Sequence, residues 1–494
     1  MKATRWIFLA HRYLGIAIGI LMVVWCLSGV VMMYTSYPDL SEPQRLRGLA
    51  PIDWQRCCNI GDEVLDPDAP VEAFEVEMLS GRPILRVDPL NHPSRVIDLQ
   101  SGNPIERIDS ETARETAQAY VPSDGRTPSL AGSDLIGEDQ WTVSGRFAKD
   151  RPLFRFAFDD PARSRLYVSS RSGKAVQLTS RHQRFWNWLG AIPHWLYFTP
   201  LRRNIELWTQ IVVWSSLMGC FLTVTGLYIG WRQVLRASGG RWSPYSGFMV
   251  WHHIPGLIFG WFVLTWVASG LISMNPWGFL DDAGAASERE RLMGAPPSGA
   301  EVKSSIQRLA AAFQGRDIVR VEAARFDGAL YLIAAASDGQ RRRLDARGID
   351  APSPDFARVA SLLGATDQTS LKLTSEEDDY YFARHDEPAR LPVYRVSLSD
   401  AQGTRYYLDP VSAQIIRKVD VSGRWYRWLH DGPHRLDFLP GMRTQPFRYF
   451  VMLPLLLGVV AVCGAGAYLG SRRLLRRMLP ATVASGNKDR VSHG

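Results

Sequence analysis

The sequence predicts a membrane protein, a four-helix transmembrane bundle carrying two outer α+β domains, laid out as a tandem duplication of about 240 residues. Three observations predict it. Four apolar runs are each long enough to cross a hydrocarbon core, which takes about 20 apolar residues. The long segments between them change to short alternating apolar and polar runs separated by turn residues. Residues also recur in register. His11, Gly15, Gly19, Trp25, Ser28, Gly29 and Met33 return as His252, Gly256, Gly260, Trp266, Ser269, Gly270 and Met274, an offset of 241 residues (252 − 11). Arg184, Trp188, Leu189, Pro193, His194, Phe198 and Pro200 return as Arg424, Trp428, Leu429, Pro433, His434, Phe438 and Pro440, an offset of 240 (434 − 194).

In chain order, residues 1–36 give the first span with its N-terminal tail, 37–205 the first outer domain, and 206–232 the second span. A loop over 233–246 leads to the third span at 247–275, the second outer domain at 276–445, the fourth span at 446–471 and a tail at 472–494. The first apolar run is longer than a signal-peptide core and ends at Met33-Tyr34-Thr35-Ser36-Tyr37-Pro38 without a small-residue cleavage site, so it reads as an anchor. Lys and Arg near span ends stay cytoplasmic. Lys2, Arg5 and Arg12 precede the first span, Arg232, Arg236 and Arg241 lie between the second and third, and Arg472, Arg473, Arg476 and Arg477 follow the fourth. Both termini are therefore expected in the cytoplasm and both large domains outside. This arrangement accounts for most of the net charge of +8, and no nucleic-acid partner is expected despite a pI of 9.3.

The outer domains read as hairpins, as in Pro83-Ile84-Leu85-Arg86-Val87-Asp88 and Arg95-Val96-Ile97-Asp98, interrupted by helical stretches such as Ser304 to Phe313 and Phe356 to Leu363. Asp139, Gln140, Trp141, Pro152, Leu153 and Arg155 correspond to Asp379, Tyr380, Tyr381, Pro392, Val393 and Arg395, with the Asp expected to shape a turn. The acidic run Glu376, Glu377, Asp378 and Asp379 reads as a solvated face.

Ligand-forming side chains at membrane depth are costly and mark function. Residues at i, i+4, i+8 and i+18 share a helix face. His11, Gly15, Gly19 and Gly29 thus line one stripe of the first span, and His252, Gly256, Gly260 and Gly270 the matching stripe of the third. Small residues at this spacing admit either a neighbouring helix or a flat macrocycle beside a histidine. His194 and His434 follow Pro193 and Pro433 in Trp-rich interfacial segments. Parallel repeats are related by an axis along the membrane normal, which sets His11 opposite His252 in the inner leaflet and His194 opposite His434 in the outer. Each pair is expected to hold one haem iron from both sides, giving two b-type haems, with Gly15, Gly19, Gly256 and Gly260 packing beside the macrocycle. The ordinary alternative for all four histidines is hydrogen-bonded packing. His253, beside His252 but on another face, and His430, which aligns with Gly190, are competing ligands. His92, His182, His385 and His493 read as incidental.

Among the five cysteines, Cys26, Cys220 and Cys463 fall within spans. Cys57 and Cys58 lie outside, and being adjacent are not expected to bridge each other. No Cys-x-x-Cys-His is present, so haem would be held without covalent attachment.

The chain resembles the PepSY-associated transmembrane helix family. The resemblance rests on His11-Arg12-Tyr13-Leu14-Gly15, Trp186-Asn187-Trp188-Leu189-Gly190-Ala191-Ile192-Pro193-His194, Ser273-Met274-Asn275-Pro276-Trp277-Gly278, and Asp379-Tyr380-Tyr381-Phe382 followed by Leu391-Pro392-Val393-Tyr394-Arg395-Val396. It implies PepSY-like periplasmic domains and an activity similar to bacterial inner-membrane ferric-siderophore reductases with b-type haems. On that reading the partners are membrane lipid, a ferric chelate as substrate, and a quinol or redox protein as electron donor, since no flavin or dinucleotide fingerprint is present. Arg202, Arg203, Arg435 and Arg443 lie near the outer histidines, as lipid anchors or as partners for propionates or an anionic chelate. The rival expectation is a non-enzymatic membrane protein whose outer domains bind or restrain a periplasmic partner, with structural histidines.

Overall fold

The computed structural model describes residues 2–121, 129–281, 284–313, 317–366, 368–384, 388–438 and 440–478, and divides into two compact units. His385 and His493 lie outside the described residues.

The membrane unit draws on residues 1–35, 186–281 and 425–494. Its long helices are Lys2–Met32, Ile205–Val234, Phe248–Ser273 and Phe447–Met478, all long and apolar enough to cross a membrane. The second begins at a cap in which the Asn204 side chain accepts from the Leu207 amide at 3.0 Å. The first span packs against the second and fourth, and the third packs against the same two, so the four form a closed bundle. Met22, Val263 and Val459 fill its centre, with Trp25, Trp266, Cys26 and Cys463 around them. Ser28 and Ser269 are buried in the same bundle, each with its hydroxyl bonded back to the carbonyl three residues earlier.

The second unit draws on residues 36–185 and 282–424 and holds three antiparallel sheets. In chain order its strands are β1 (Val71–Leu79), β2 (Arg82–Pro89), β3 (Arg95–Asp98), β4 (Leu130–Ile136), β5 (Leu153–Phe158), β6 (Arg165–Ser169), β7 (Ala175–Thr179), β8 (Arg320–Phe326), β9 (Ala329–Ala335), β10 (Arg341–Asp345), β11 (Ser370–Thr374), β12 (Val393–Ser397), β13 (Arg405–Leu408) and β14 (Ile415–Val419). Two four-stranded sheets, β4-β5-β6-β7 and β11-β12-β13-β14, repeat one register: Phe154 pairs with Val168 as Tyr394 pairs with Leu408, and Arg155 with Tyr167 as Arg395 with Tyr407. Each buries one face under helices, Ser110–Gln118 in the first case and Ala286–Met293 with Phe356–Leu362 in the second.

The third sheet contains what two separate outer domains do not. Its order is β10-β9-β8-β1-β2-β3, and Val76 pairs with Val321, so each outer segment contributes three strands. The helix Gly299–Ala312 lays Val302, Ile306 and Leu309 on this sheet, completing a core with Val76, Leu85 and Leu332. Charges are also held inside: Lys174 donates to both carboxylate oxygens of Glu75 at 2.8 Å, and Arg86 bridges Glu75 and Glu77.

Two expectations are corrected. Cys57 and Cys58 do form a disulfide, with Cα atoms 3.2 Å apart, and the peptide between them is cis. The counterpart of Asp139 is Asp378 rather than Asp379. Asp139 accepts from Tyr167 Oη at 2.8 Å and Arg155 at 3.1 Å, and Asp378 takes the same bonds from Tyr407 at 2.7 Å and Arg395 at 3.0 Å. Both carboxylates also accept amides of the following turn, the turn-shaping role expected of them. Of the acidic run, Glu376, Glu377 and Asp379 are exposed, whereas Asp378 is half-buried and internally bonded.

Candidate functional site

Two pairs of imidazoles face each other inside the membrane unit. The rings of His11 and His252 have centroids 6.3 Å apart at an interplanar angle of 37°, and those of His194 and His434 are 6.1 Å apart at 70°. His11 and His252 stand on the first and third spans. His194 ends the short helical turn Ala191–His194, and His434 is the penultimate residue of Gly432–Arg435; the two turns contain Pro193 and Pro433. Two residues on, Leu196 and Leu436 take φ of 51° and 53°, a left-handed conformation that bulky residues avoid. The same unusual turn thus follows both histidines.

Hydrogen bonds fix the chemistry of all four rings. Nδ1 of His11 donates to the Leu222 carbonyl at 3.0 Å, and Nδ1 of His252 to the Val462 carbonyl at 3.2 Å. Nδ1 of His194 meets the Trp25 carbonyl and Ser28 Oγ, both at 3.1 Å, and Nδ1 of His434 meets Ser269 Oγ at 3.0 Å. The two serine hydroxyls spend their protons on the carbonyls of Trp25 and Trp266, so each accepts from the imidazole. Every Nδ1 therefore carries the hydrogen and every Nε2 keeps its lone pair, the tautomer that a metal-bound histidine uses.

The spacing matches the same chemistry. A metal ion bound at about 2 Å by one nitrogen of each ring, with about 1.1 Å from that nitrogen to the ring centre, sets the centroids roughly 6.2 Å apart. Among the described residues, no group of three or more His, Cys, Asp or Glu side chains is arranged to hold a bare metal ion. Two axial imidazoles with four positions left open suit iron in a macrocycle. Room for one exists around the inner pair, where a cavity of about 780 Å³ is lined by His11, His252, Gly15, Gly19, Gly256 and Gly260.

Glycines set the fit, and the closest ones are not those of the expected stripe. A Cβ on Gly226 would lie 2.7 Å from His11 Cε1, and one on Gly466 would lie 2.8 Å from His252 Cε1. These glycines of the second and fourth spans let the imidazoles seat against bare backbone. Their recurrence at 240 residues was legible, as was that of Leu222 and Val462, whose carbonyls orient the rings. At the outer pair, Cβ atoms on Gly29 and Gly270 would lie 3.6 and 3.8 Å from His194 and His434. In the expected stripe, Cβ atoms on Gly15, Gly19 and Gly256 would meet only Leu222, Ala467 and Val462 at 3.7–3.9 Å, whereas one on Gly260 would lie 2.8 Å from Leu227.

Of the competing histidines, His253 is engaged elsewhere. His253 is buried with Nδ1 2.9 Å from Ser243 Oγ and Nε2 2.9 Å from the Gly230 carbonyl, which commits both nitrogens. His430 donates from Nδ1 to the Ser269 carbonyl at 2.8 Å and lies against His434, centroids 5.2 Å apart. It braces the segment that carries His434. Arg202 stacks over Tyr197 and Trp208, as an interfacial anchor does, and Arg443 donates to the Asp437 carbonyl.

A bundle of four apolar helices enclosing paired imidazoles defines a multi-pass membrane protein with a histidine site inside its membrane unit. The chain belongs to the PepSY-associated TM region family, which matches residues 8–347. That span covers His11, His194 and His252, and His434 lies beyond it. No curated protein matches the chain significantly.

Proposed function

We propose that this protein is a haem-containing reductase of a bacterial inner membrane that passes electrons to a periplasmic ferric chelate such as a ferric siderophore. The observation that carries this reading is the geometry of the two imidazole pairs, with centroids 6.3 and 6.1 Å apart and each Nδ1 tied to a fixed acceptor. A b-type haem at each pair supplies one-electron transfer. The chain holds the axial nitrogens, excludes water with the apolar bundle, and tunes the potential through the carbonyls of Leu222, Val462 and Trp25 that polarise the rings. His11 and Gly29 lie on one continuous helix about 27 Å apart, so the two sites would relay electrons across the bilayer. In the same reading the chain is a tandem duplication, both termini are cytoplasmic, the sheet-bearing unit is periplasmic, and a quinol or redox protein is the donor.

The test is spectroscopic and kinetic. Purified full-length protein should show a low-spin Soret band from two haems, and dithionite-reduced protein should be reoxidised faster by a ferric chelate than by the iron-free chelator. Equal rates would remove the reductase reading. The rival reading, a partner-binding protein, draws on the edge strands β4 and β11, which leave Leu135, Leu371 and Leu373 exposed. Absence of any Soret band would favour it.

A further inference from the structure

The cavity around His11 and His252 is not uniform. Its body is walled by glycines and apolar side chains, but Arg12, Arg472, Arg473 and Arg476 line it as well. Arg472, Arg473 and Arg476 are exposed at its open end, and no Asp or Glu is among its lining residues. Four guanidiniums with no carboxylate in the same lining make that end of the cavity electropositive. That end suits an anionic group joined to something flat and apolar enough to fill the rest.

We infer that these four arginines form the carboxylate-binding end of the inner site and clamp the two propionates of the haem held by His11 and His252. This rests on the haem reading above and adds the orientation of the group, propionates toward the N-terminal end of the first span. Planar guanidinium forks pair with carboxylates two bonds at a time, which fixes direction as well as adding affinity. The placement fits the reach. On the fourth span, Gly466 abuts His252. Arg472 and Arg473 follow it by about 9 and 10.5 Å of helix rise, an interval that a long side chain leaning toward the helix N-terminus partly closes. Arg12 sits next to His11 itself. The anionic edge would be the one presented to an electron donor, and the arginine charge would favour the reduced state less when the propionates neutralise it.

The experiment titrates full-length apoprotein with haem and with haem dimethyl ester, which keeps the iron and macrocycle but removes both negative charges. It uses wild type and a His194→Ala/His434→Ala background that leaves the inner pair alone. The ester should bind the inner site about tenfold more weakly, or worse, than haem. In Arg12→Gln/Arg472→Gln/Arg473→Gln/Arg476→Gln protein the two ligands should bind within about twofold of each other. The wild-type comparison needs no arginine variant, so it stands even if that variant fails to fold. Ester bound as tightly as haem overturns the inference while leaving the haem reading intact. Arginine variants that weaken both ligands alike would assign these side chains to lipid headgroups and overturn it too. If wild type binds neither ligand in a His11-dependent way, the haem reading itself fails.

Discussion

Replacing Gly226 by Ala puts a methyl group where the structure leaves space for an imidazole. The new Cβ would lie 2.7 Å from His11 Cε1. Ordinary carbon contacts are about 3.5–4.0 Å, so ring and helix must separate by about 1 Å. A metal–imidazole bond tolerates only about 0.2 Å. Overpacking of this kind costs about 1–3 kcal/mol, which is about 5- to 150-fold in affinity for a group held by that ring. Gly466→Ala should do the same from the other side, its Cβ 2.8 Å from His252 Cε1. The substitutions cannot act by weakening the helix, because Ala is the better helix former by up to about 1 kcal/mol. Gly464→Ala is the control: its Cβ would meet nothing within 4 Å, and Gly464 does not line the cavity. Haem content and low-spin absorbance of the purified variants would be measured beside thermal melts. Gly226→Ala and Gly466→Ala should lose inner-site haem while still giving a cooperative melt, and Gly464→Ala should keep it. Full loading in both would refute the claim that the imidazole seats against these glycines to ligate.

His11→Ala and His252→Ala should deplete or convert the same haem, and His194→Ala and His434→Ala the other; two intact low-spin haems in any one variant remove that residue from the ligand set. In the sheet-bearing unit, burial raises the Glu75 pKa but the Arg86 and Lys174 charges outweigh it and hold the carboxyl down to about 2, against an ordinary 4.5. A depressed carboxylate stabilises the fold above its unfolded value and loses that as pH falls through the folded one. The full-length protein should therefore lose on the order of 3 kcal/mol between about pH 4.5 and 2 from this group, and Glu75→Gln should flatten that part of its acid-unfolding curve; an identical curve would show that the pair contributes nothing. Alkaline phosphatase fused near Asp350 should be active and fused at Gly494 inactive, and the opposite result would invert the proposed topology.

The four spans were legible because bilayer crossing is a property of local composition: a run of apolar residues declares itself whatever it packs against. The histidines were legible because an imidazole in such a run has no cheap reason to be there. The turn role of Asp139 was visible too, but its counterpart slipped by one residue, since alignment by a fixed offset cannot see that Tyr407 and Arg395 reach Asp378. By itself the sequence determined which segments are membrane helices, which are hairpins and which histidines recur at matching places in apolar helices. Only the tertiary structure decided the rest. It set His252 opposite His11, while Ser243 and Gly230 take up both nitrogens of His253. It set Gly226 and Gly466 rather than Gly15 and Gly256 against the rings, and joined β1 to β8 across 245 residues (321 − 76). These are choices among partners distant in the chain. Periodicity reports which face a residue takes on its own element, and only packing reports what stands opposite that face.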